Sequence, residues 1–123
     1  SFLPLCEARG IGIVTGGPFN SGILATGAVP GAFYNYDPAP AHIMEKVAKI
    51  EVICAQFNVP LIAAAIQFPL LHSTHMAVIP GGQSAEQTRS NIAALQCDIP
   101  SELWTNLKSA GLMHPDAPTG PPR

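Results

Sequence analysis

Two short apolar runs constrain this chain more than anything else in it. Residues 11–15 (Ile-Gly-Ile-Val-Thr) and 76–80 (Met-Ala-Val-Ile-Pro) are rich in β-branched or long apolar side chains, and each leads into paired glycines. Such runs suit strands buried on both faces, as in parallel sheets. The segments between and after them read as helices, and strands alternating with helices imply parallel βα units. Two strands do not make a stable parallel sheet alone. The chain therefore reads as a piece of a larger α/β fold, or as a half that must assemble.

The helical segments carry their own signals. Residues 2–8 read as the last turns of a helix stopped by Gly10, since a glycine just past the last turn supplies the left-handed stop. Ile43, Val47, Ile50, Cys54 and Phe57 recur at steps of four, three, four and three, one face of a long helix that Asn58 ends before Val59-Pro60. Glu45 and Lys49 form an i,i+4 pair on its wet face. Residues 61–71 are apolar nearly all round. A buried helix disturbed at Pro69 and a buried strand both fit, and the alanine content and length favour the helix. Ser84-Ala85-Glu86-Gln87 is a Ser-x-x-Gln capping box opening a helix through about Leu95. A last helix over 100–110 has Leu103 and Leu107 inside and Gly111 as its stop, with Trp104 as a packing anchor. Between the first strand and the long helix lies a Gly/Pro-rich loop over residues 18–40. A loop of that length in a compact domain is usually functional. Residues 1–112 form the expected folded part, and 113–123 a flexible Pro-rich tail.

Composition excludes several partners. Six Lys plus Arg against eight Asp plus Glu give a net charge of −2, and the cations are scattered, so a phosphate-neutralising basic face is absent and nucleic acid is excluded. No run reaches the ~20 apolar residues needed to cross a bilayer. Cys6, Cys54 and Cys97 are widely spaced in apolar stretches, which reads as free thiols in a reducing, cytoplasmic compartment rather than a disulfide framework. The four histidines (His42, His72, His75, His114) form no ligand cluster with them, so no metal site is expected. The N-terminus lacks the charged region and cleavage site of a signal peptide. It also lacks a starting Met, and a fragment or processed chain is the expectation.

The chemistry concentrates where the two strands end. Gly16-Gly17-Pro18-Phe19-Asn20-Ser21-Gly22 follows the first, and Pro80-Gly81-Gly82-Gln83-Ser84 follows the second. Glycines let backbone amides approach a ligand closely. The second loop runs straight into a capped helix N-terminus, where unpaired amides and the helix dipole suit an anion. In β/α barrels the loops after the last two strands commonly form the phosphate site. A nucleotide or sugar-phosphate ligand follows from this physics. Ser84, Gln87 and Asn91 stand at i, i+3 and i+7, on one helical face.

These same stretches carry a resemblance. Gly10-Ile11-Gly12-Ile13-Val14 with Pro18-Phe19-Asn20-Ser21-Gly22-Ile23-Leu24 is similar to the seventh-strand segment of the aldo/keto reductase family. Val78-Ile79-Pro80-Gly81-Gly82 with Ser84, Gln87 and Asn91 resembles the family's eighth-strand cofactor signature. The closing Ile99-Pro100, Leu103-Trp104, Leu107-Lys108 and Gly111-Leu112 fit as well. Gly-Gly-Pro-Phe-Asn-Ser-Gly-Ile-Leu and Tyr34-Asn35-Tyr36 with Pro38-Ala39-Pro40 look most like the D-threo-aldose (L-fucose) 1-dehydrogenase and pyridoxal 4-dehydrogenase branch. The resemblance implies an α/β fold: the C-terminal portion of a (β/α)8 TIM barrel, strands seven and eight with their helices. It implies NAD or NADP as cofactor and a sugar, alcohol or aldehyde as substrate. Carried over by position, Gly17, Pro18, Phe19, Asn20, Ser21 and Gly22 lie along the pyrophosphate. Pro80 leads into Gly81 and Gly82, whose amides meet the adenosine phosphate. Ser84 and Gln87 reach the adenine ribose or its 2′-phosphate, and Asn91 meets the adenine edge.

Two departures from the family matter. Many members place an aromatic residue at the position of Gly16, where it stacks on the nicotinamide, and Gly16 cannot stack. Many NADP-linked members place Arg at the position of Gln87, and Gln lacks the charge that favours a 2′-phosphate, which favours NAD. The family's acid/base Tyr, supported by Lys, Asp and His, belongs to earlier strands, and nothing here matches it. Tyr34 and Tyr36 read as substrate-side or packing residues, His42 as solvated, and His72 and His75 as structural. The leading expectation is the cofactor-gripping part of an oxidoreductase that requires the N-terminal part of its barrel or self-association. The alternatives are a non-catalytic half-barrel nucleotide-binding or self-associating module, and a remnant without function of its own.

Overall fold

A computed structural model describes residues 2–120. The chain runs α1 (Phe2–Ala8), β1 (Ile13–Gly16), α2 (Ile23–Thr26), β2 (Phe33–Tyr34), β3 (Asp37–Pro38), α3 (Ala41–Gln56), α4 (Leu61–Gln67), β4 (His75–Ile79), α5 (Ala85–Gln96) and α6 (Ser101–Ser109). A 3-10 turn over Phe68–Leu71 continues α4, so the apolar 61–71 segment is helical and changes pitch where Pro69 removes an amide donor. The two apolar runs pair in parallel as β1 and β4, with Val14 opposite Ala77, Thr15 opposite Val78 and Gly16 opposite Ile79. Parallel pairing with matched ends sets both glycine loops side by side at one end of the sheet.

Local chemistry bounds the helices. Gly10 (φ 64°), Asn58 (φ 54°) and Gly111 (φ 69°) adopt the left-handed conformation. The following amides reach back to close each helix: Ile11 to the Cys6 carbonyl at 2.9 Å, Val59 to Cys54 at 3.0 Å and Leu112 to Leu107 at 3.0 Å. Pro40, Pro60 and Pro100 stand as the extended residues before α3, α4 and α6, where fixed φ helps and the missing N–H costs nothing. Glu102 in the first turn of α6 and Lys108 in the last complement its dipole.

The helices pack into one apolar body on one side of the sheet. Cys54, Val59, Ala63, Ala64, Ile66, Ala94, Leu103, Trp104 and Leu107 form its buried centre, joined by Phe19 from the first glycine loop. Trp104 anchors α6 with its ring 5.9 Å from that of Phe68. A smaller cluster of Ile23, Ala32 and Val47 seats α2 on α3. Two polar bridges tie the helices to the loops. Gln67 Nε2 donates to the Ala94 carbonyl at 2.7 Å and to the Cys97 carbonyl at 2.8 Å, capping the end of α5 from α4. Glu51 Oε2 accepts the Ala28 amide at 3.0 Å, holding the segment after α2 against α3.

The expectation that both strands are buried on both faces does not hold. Val14 is 56% exposed, Met76 76% and Ile79 62%. Burial needs neighbours, and among the described residues β1 and β4 have only each other as sheet partners. The residues 18–40 are likewise not a plain loop, since they hold α2 and the β2–β3 hairpin. Within the expected loose tail, Lys108 Nζ donates to the Ala117 carbonyl at 2.7 Å, which ties that stretch to α6. Residues 121–123 of that tail lie outside the described residues. No single described helix is long and apolar enough to cross a membrane. Cys6, Cys54 and Cys97 are free thiols, and burial together with the nearby Glu51 carboxylate pushes the Cys54 thiol up from its ordinary pKa.

Two predictions follow from this packing. Gly27 has φ 84° and ψ −173°, a conformation essentially confined to glycine, and an added Cβ would run into the Glu51 carboxylate. Gly27→Ala should therefore destabilise the chain by about 2–3 kcal/mol in a urea titration, from backbone strain and from loss of the Ala28–Glu51 bond. At the other end of the sheet, His72 Nδ1 accepts the Thr74 amide at 3.2 Å, while His75 Nδ1 is buried without a partner among the described residues. Burial, with the nearby His72, lowers the His75 pKa from its ordinary 6.5. The unfolded chain then takes up this proton first, so stability should fall as pH drops from about 6.5 towards the folded-state value. Melting temperatures across pH 5–8 should show that decline, and His75→Gln should flatten it.

Candidate functional site

The two glycine loops face each other across an open groove of about 650 Å³. One wall is the loop after β1: Gly17, Phe19, Asn20, Ser21 and Gly22. This wall bends through consecutive left-handed residues, Asn20 (φ 43°), Ser21 (φ 62°) and Gly22 (φ 101°). Phe19 is buried and pins the loop to the helical core. The other wall is the loop after β4 and the start of α5: Gly81, Gly82, Gln83, Gln87, Ser90 and Asn91. Ala25, Thr26 and Ile62 close the floor, and Tyr36 stands at the rim.

The capping box forms, with one shift. Ser84 Oγ accepts the Gln87 amide at 3.1 Å, and Gln87 Oε1 accepts the Gln83 amide at 2.7 Å rather than that of Ser84. The loop carbonyl at Gly81 accepts from Asn91 Nδ2 at 3.2 Å, and Asn91 is buried, with 7% of its surface exposed. Asn91 therefore holds the second loop in shape from within α5. Each of these side chains retains a further polar capacity, the Gln87 amide NH2 and the Asn91 carbonyl oxygen included.

Of the residues singled out in the sequence, Gly17, Phe19, Asn20, Ser21, Gly22, Gly81, Gly82, Gln87 and Asn91 converge on this groove. Pro18 is buried behind it, Pro80 is half-buried at the end of β4, and Ser84 turns its hydroxyl into the cap instead of lining the groove. Sequence reasoning missed Ala25, Thr26, Ile62, Gln83 and Ser90 as lining residues. Gln83 adjoins the glycines, and Ser90 neighbours Asn91 in the helix, so both were open to a wider reading of the same motif. Ile62 arrives from a distant helix and carries no local signal. Tyr34 is half-buried against the Ile23–Val47 cluster, whereas Tyr36 reaches the groove. His72 and His75 sit at the start of β4, the opposite end of the strand from the glycine loops, and His42 is exposed at the start of α3.

Electrostatically the groove relies on the backbone. None of its described lining residues is charged. Among the described residues the amides of Ser21, Gly81 and Gly82 have no protein hydrogen-bond acceptor. Such unpaired amides beside a helix start are the donors that bind anions at helix N-termini, although in the first turn of α5 the Gln87 amide is taken by Ser84 Oγ and Glu86 adds a negative charge. Gly81 adds a steric clue. It has no left-handed φ, and a Cβ built on it meets nothing within 4 Å. Among the described residues neither a positive φ nor packing requires glycine there, as is also true of Gly16, whereas close approach of a ligand to the backbone would.

Comparison with known proteins gives the family. The profile of the aldo/keto reductase family matches residues 1–111. The chain is 43% identical over 112 residues to the pyridoxal 4-dehydrogenase of Microbacterium luteolum, covering 91% of this chain and 33% of that protein. It is 37% identical over 112 residues to the D-threo-aldose 1-dehydrogenase of a Pseudomonas species, covering 90% and 34%. An aryl-alcohol dehydrogenase of Pestalotiopsis microspora shares 24% over 103 residues. The chain thus spans about a third of the length of the curated relatives it matches, with the two glycine loops and the helices that carry them inside the matched region. This chain belongs to the aldo/keto reductase family.

Proposed function

We propose that this chain is the cofactor-binding, C-terminal portion of a (β/α)8-barrel NAD(P)-dependent oxidoreductase, one that interconverts a sugar hemiacetal or alcohol with its oxidised partner. The observation that carries the reading is Gly81: a glycine that the protein's own backbone and packing do not require, set among free amides at a capped helix start, facing a second glycine loop. That donor set fits a dinucleotide. An extended anion-bearing ligand needs amides spaced along a groove, an open cradle without Cβ atoms, and polar side chains at one end.

In this reading the backbone of Gly17–Gly22 runs along the pyrophosphate, with Pro18 and Phe19 fixing its path from behind. Gly81 and Gly82 donate to the adenosine phosphate. The Gln87 amide NH2 serves the adenine ribose and Asn91 the adenine edge, while Ser84, whose oxygen accepts within the cap, has only its O–H left to donate toward the ribose. The described lining carries no cation and Gln87 stands near the helix start, which favours NAD over NADP, because a 2′-phosphate calls for a charged partner. When bound, the dinucleotide supplies the hydride acceptor or donor. This chain's residues bind and orient it, and the acid/base residues belong to the rest of the barrel, as the family resemblance implies. Substrates of the sugar, alcohol or aldehyde class follow from the relatives' names.

The exposed strand residues Val14, Met76 and Ile79 favour a partner on the free side of the sheet. In the leading reading that partner is the N-terminal part of the barrel. In the second reading it is another copy, and the chain is a self-associating nucleotide-binding half-barrel. Sedimentation across a hundredfold concentration range separates them, since only self-association gives a mass that rises with concentration.

The test of the cofactor site is Gly81→Val. Calorimetric titration with NAD+ should show binding to the unaltered chain and at least about tenfold weaker binding to the variant, at an unchanged melting temperature. Equal affinity would remove the reason for placing the cofactor here. The unaltered chain alone should show no dehydrogenase turnover with sugar substrates and NAD+. Turnover would place the acid/base within this chain.

A further inference from the structure

We propose that Tyr36 is a ring-stacking contact of the groove, closing over a planar heteroaromatic ring of the bound ligand. The proposal rests on the nucleotide reading above and adds to it the residue that covers a ring. Tyr36 and Asn35 are the central pair of the two-residue turn between β2 and β3, with φ 68° and 51°. Positive φ at both positions suits Asn or Gly, and for a ring-bearing residue such as Tyr it costs energy. A side chain that pays this cost normally returns it through packing. Among the described residues Tyr36 does not, because it is 91% exposed.

Two hydrogen bonds hold the turn in this place. The Asn35 amide donates to Asn20 Oδ1 at 2.9 Å, and the Tyr36 amide donates to Ser21 Oγ at 2.8 Å. Both acceptors belong to the left-handed wall of the groove. One strained segment is clamped to another, and the result is an aromatic ring at the rim beside free backbone amides. The groove's other aromatic residue, Phe19, is buried in the core, so among the described lining residues Tyr36 is the aromatic with free ring faces. Strain concentrated at a cleft, with no structural return, marks a functional placement, and an exposed aromatic beside an anion site suits a ring attached to a phosphate.

The test measures the affinity of the full chain, of Tyr36→Leu and of Tyr36→Phe for four probes: NAD+, ADP, nicotinamide mononucleotide and inorganic pyrophosphate. Circular dichroism checks that the variants keep the fold. Stacking predicts that Tyr36→Leu binds NAD+ about tenfold more weakly, that Tyr36→Phe stays close to the unaltered chain, and that pyrophosphate binds all three alike. A loss confined to ADP assigns the ring as adenine, and a loss confined to the mononucleotide assigns it as the pyridine. If NAD+ binds Tyr36→Leu as tightly as the unaltered chain, the stacking role is wrong while the cofactor site stands. If pyrophosphate weakens in step with NAD+, Tyr36 merely shapes the loop, and the proposal also fails. If the unaltered chain binds neither NAD+ nor ADP, the cofactor reading falls and takes the proposal with it.

Discussion

The parallel pairing of β1 with β4 decides where everything else in this chain can be. Gly16 lies opposite Ile79, so the two strands end together and their loops leave the sheet as neighbours. The Gly17 amide still donates to the Ile79 carbonyl at 3.2 Å, one step past the strand. Beyond that bond the backbone loses its sheet partners and must find others. The first loop finds them through left-handed turns and Phe19. The second finds them through the cap of α5 and Asn91. What both leave over are the amides of Ser21, Gly81 and Gly82, which have no protein acceptor among the described residues.

The rest of the molecule keeps that space in shape. The core of α3, α4, α5 and α6 supports the sheet from one side and carries Phe19, so the first wall is anchored in apolar packing. Gln67 fixes the far end of α5 while the Ser84–Gln87 box fixes its start. A helix held at both ends keeps its N-terminal amides aimed, and preorganised donors give a site its affinity without a reordering cost. The second strand face has no such support within the described residues. The chain is thus well organised around the groove, its other sheet face is exposed among the described residues, and it spans about a third of its relatives' length.

How much of this was legible in the sequence depended on range. Gly10, Asn58 and Gly111 as helix stops and Ser84 as a cap could be read directly, because each needs only its own backbone conformation or a partner within a few residues. The two glycine loops were legible because glycine and a cap are local chemistry. The β2–β3 hairpin was not, since its strands are two residues each and its turn carries Asn-Tyr instead of the stronger Asn-Gly signal. Gln67 was silent because its acceptors lie 27 and 30 residues away. Ser84 was read both as the cap and as a ribose contact, and its hydroxyl oxygen accepts within the cap. The strands' expected burial on both faces failed for another reason: composition records which faces a strand is suited to bury, and burial itself requires a partner to be present.

The claim at the centre of this account is that the two glycine loops form one nucleotide site. The most direct measurement is an amide-resolved NMR titration of the chain with NAD+. The account predicts saturable shifts concentrated in residues 17–22, at Tyr36 and in residues 81–91, with His72, His75 and the α6 amides unmoved. Shifts scattered over the surface or gathered at the exposed strand face, or none at millimolar nucleotide, would contradict it.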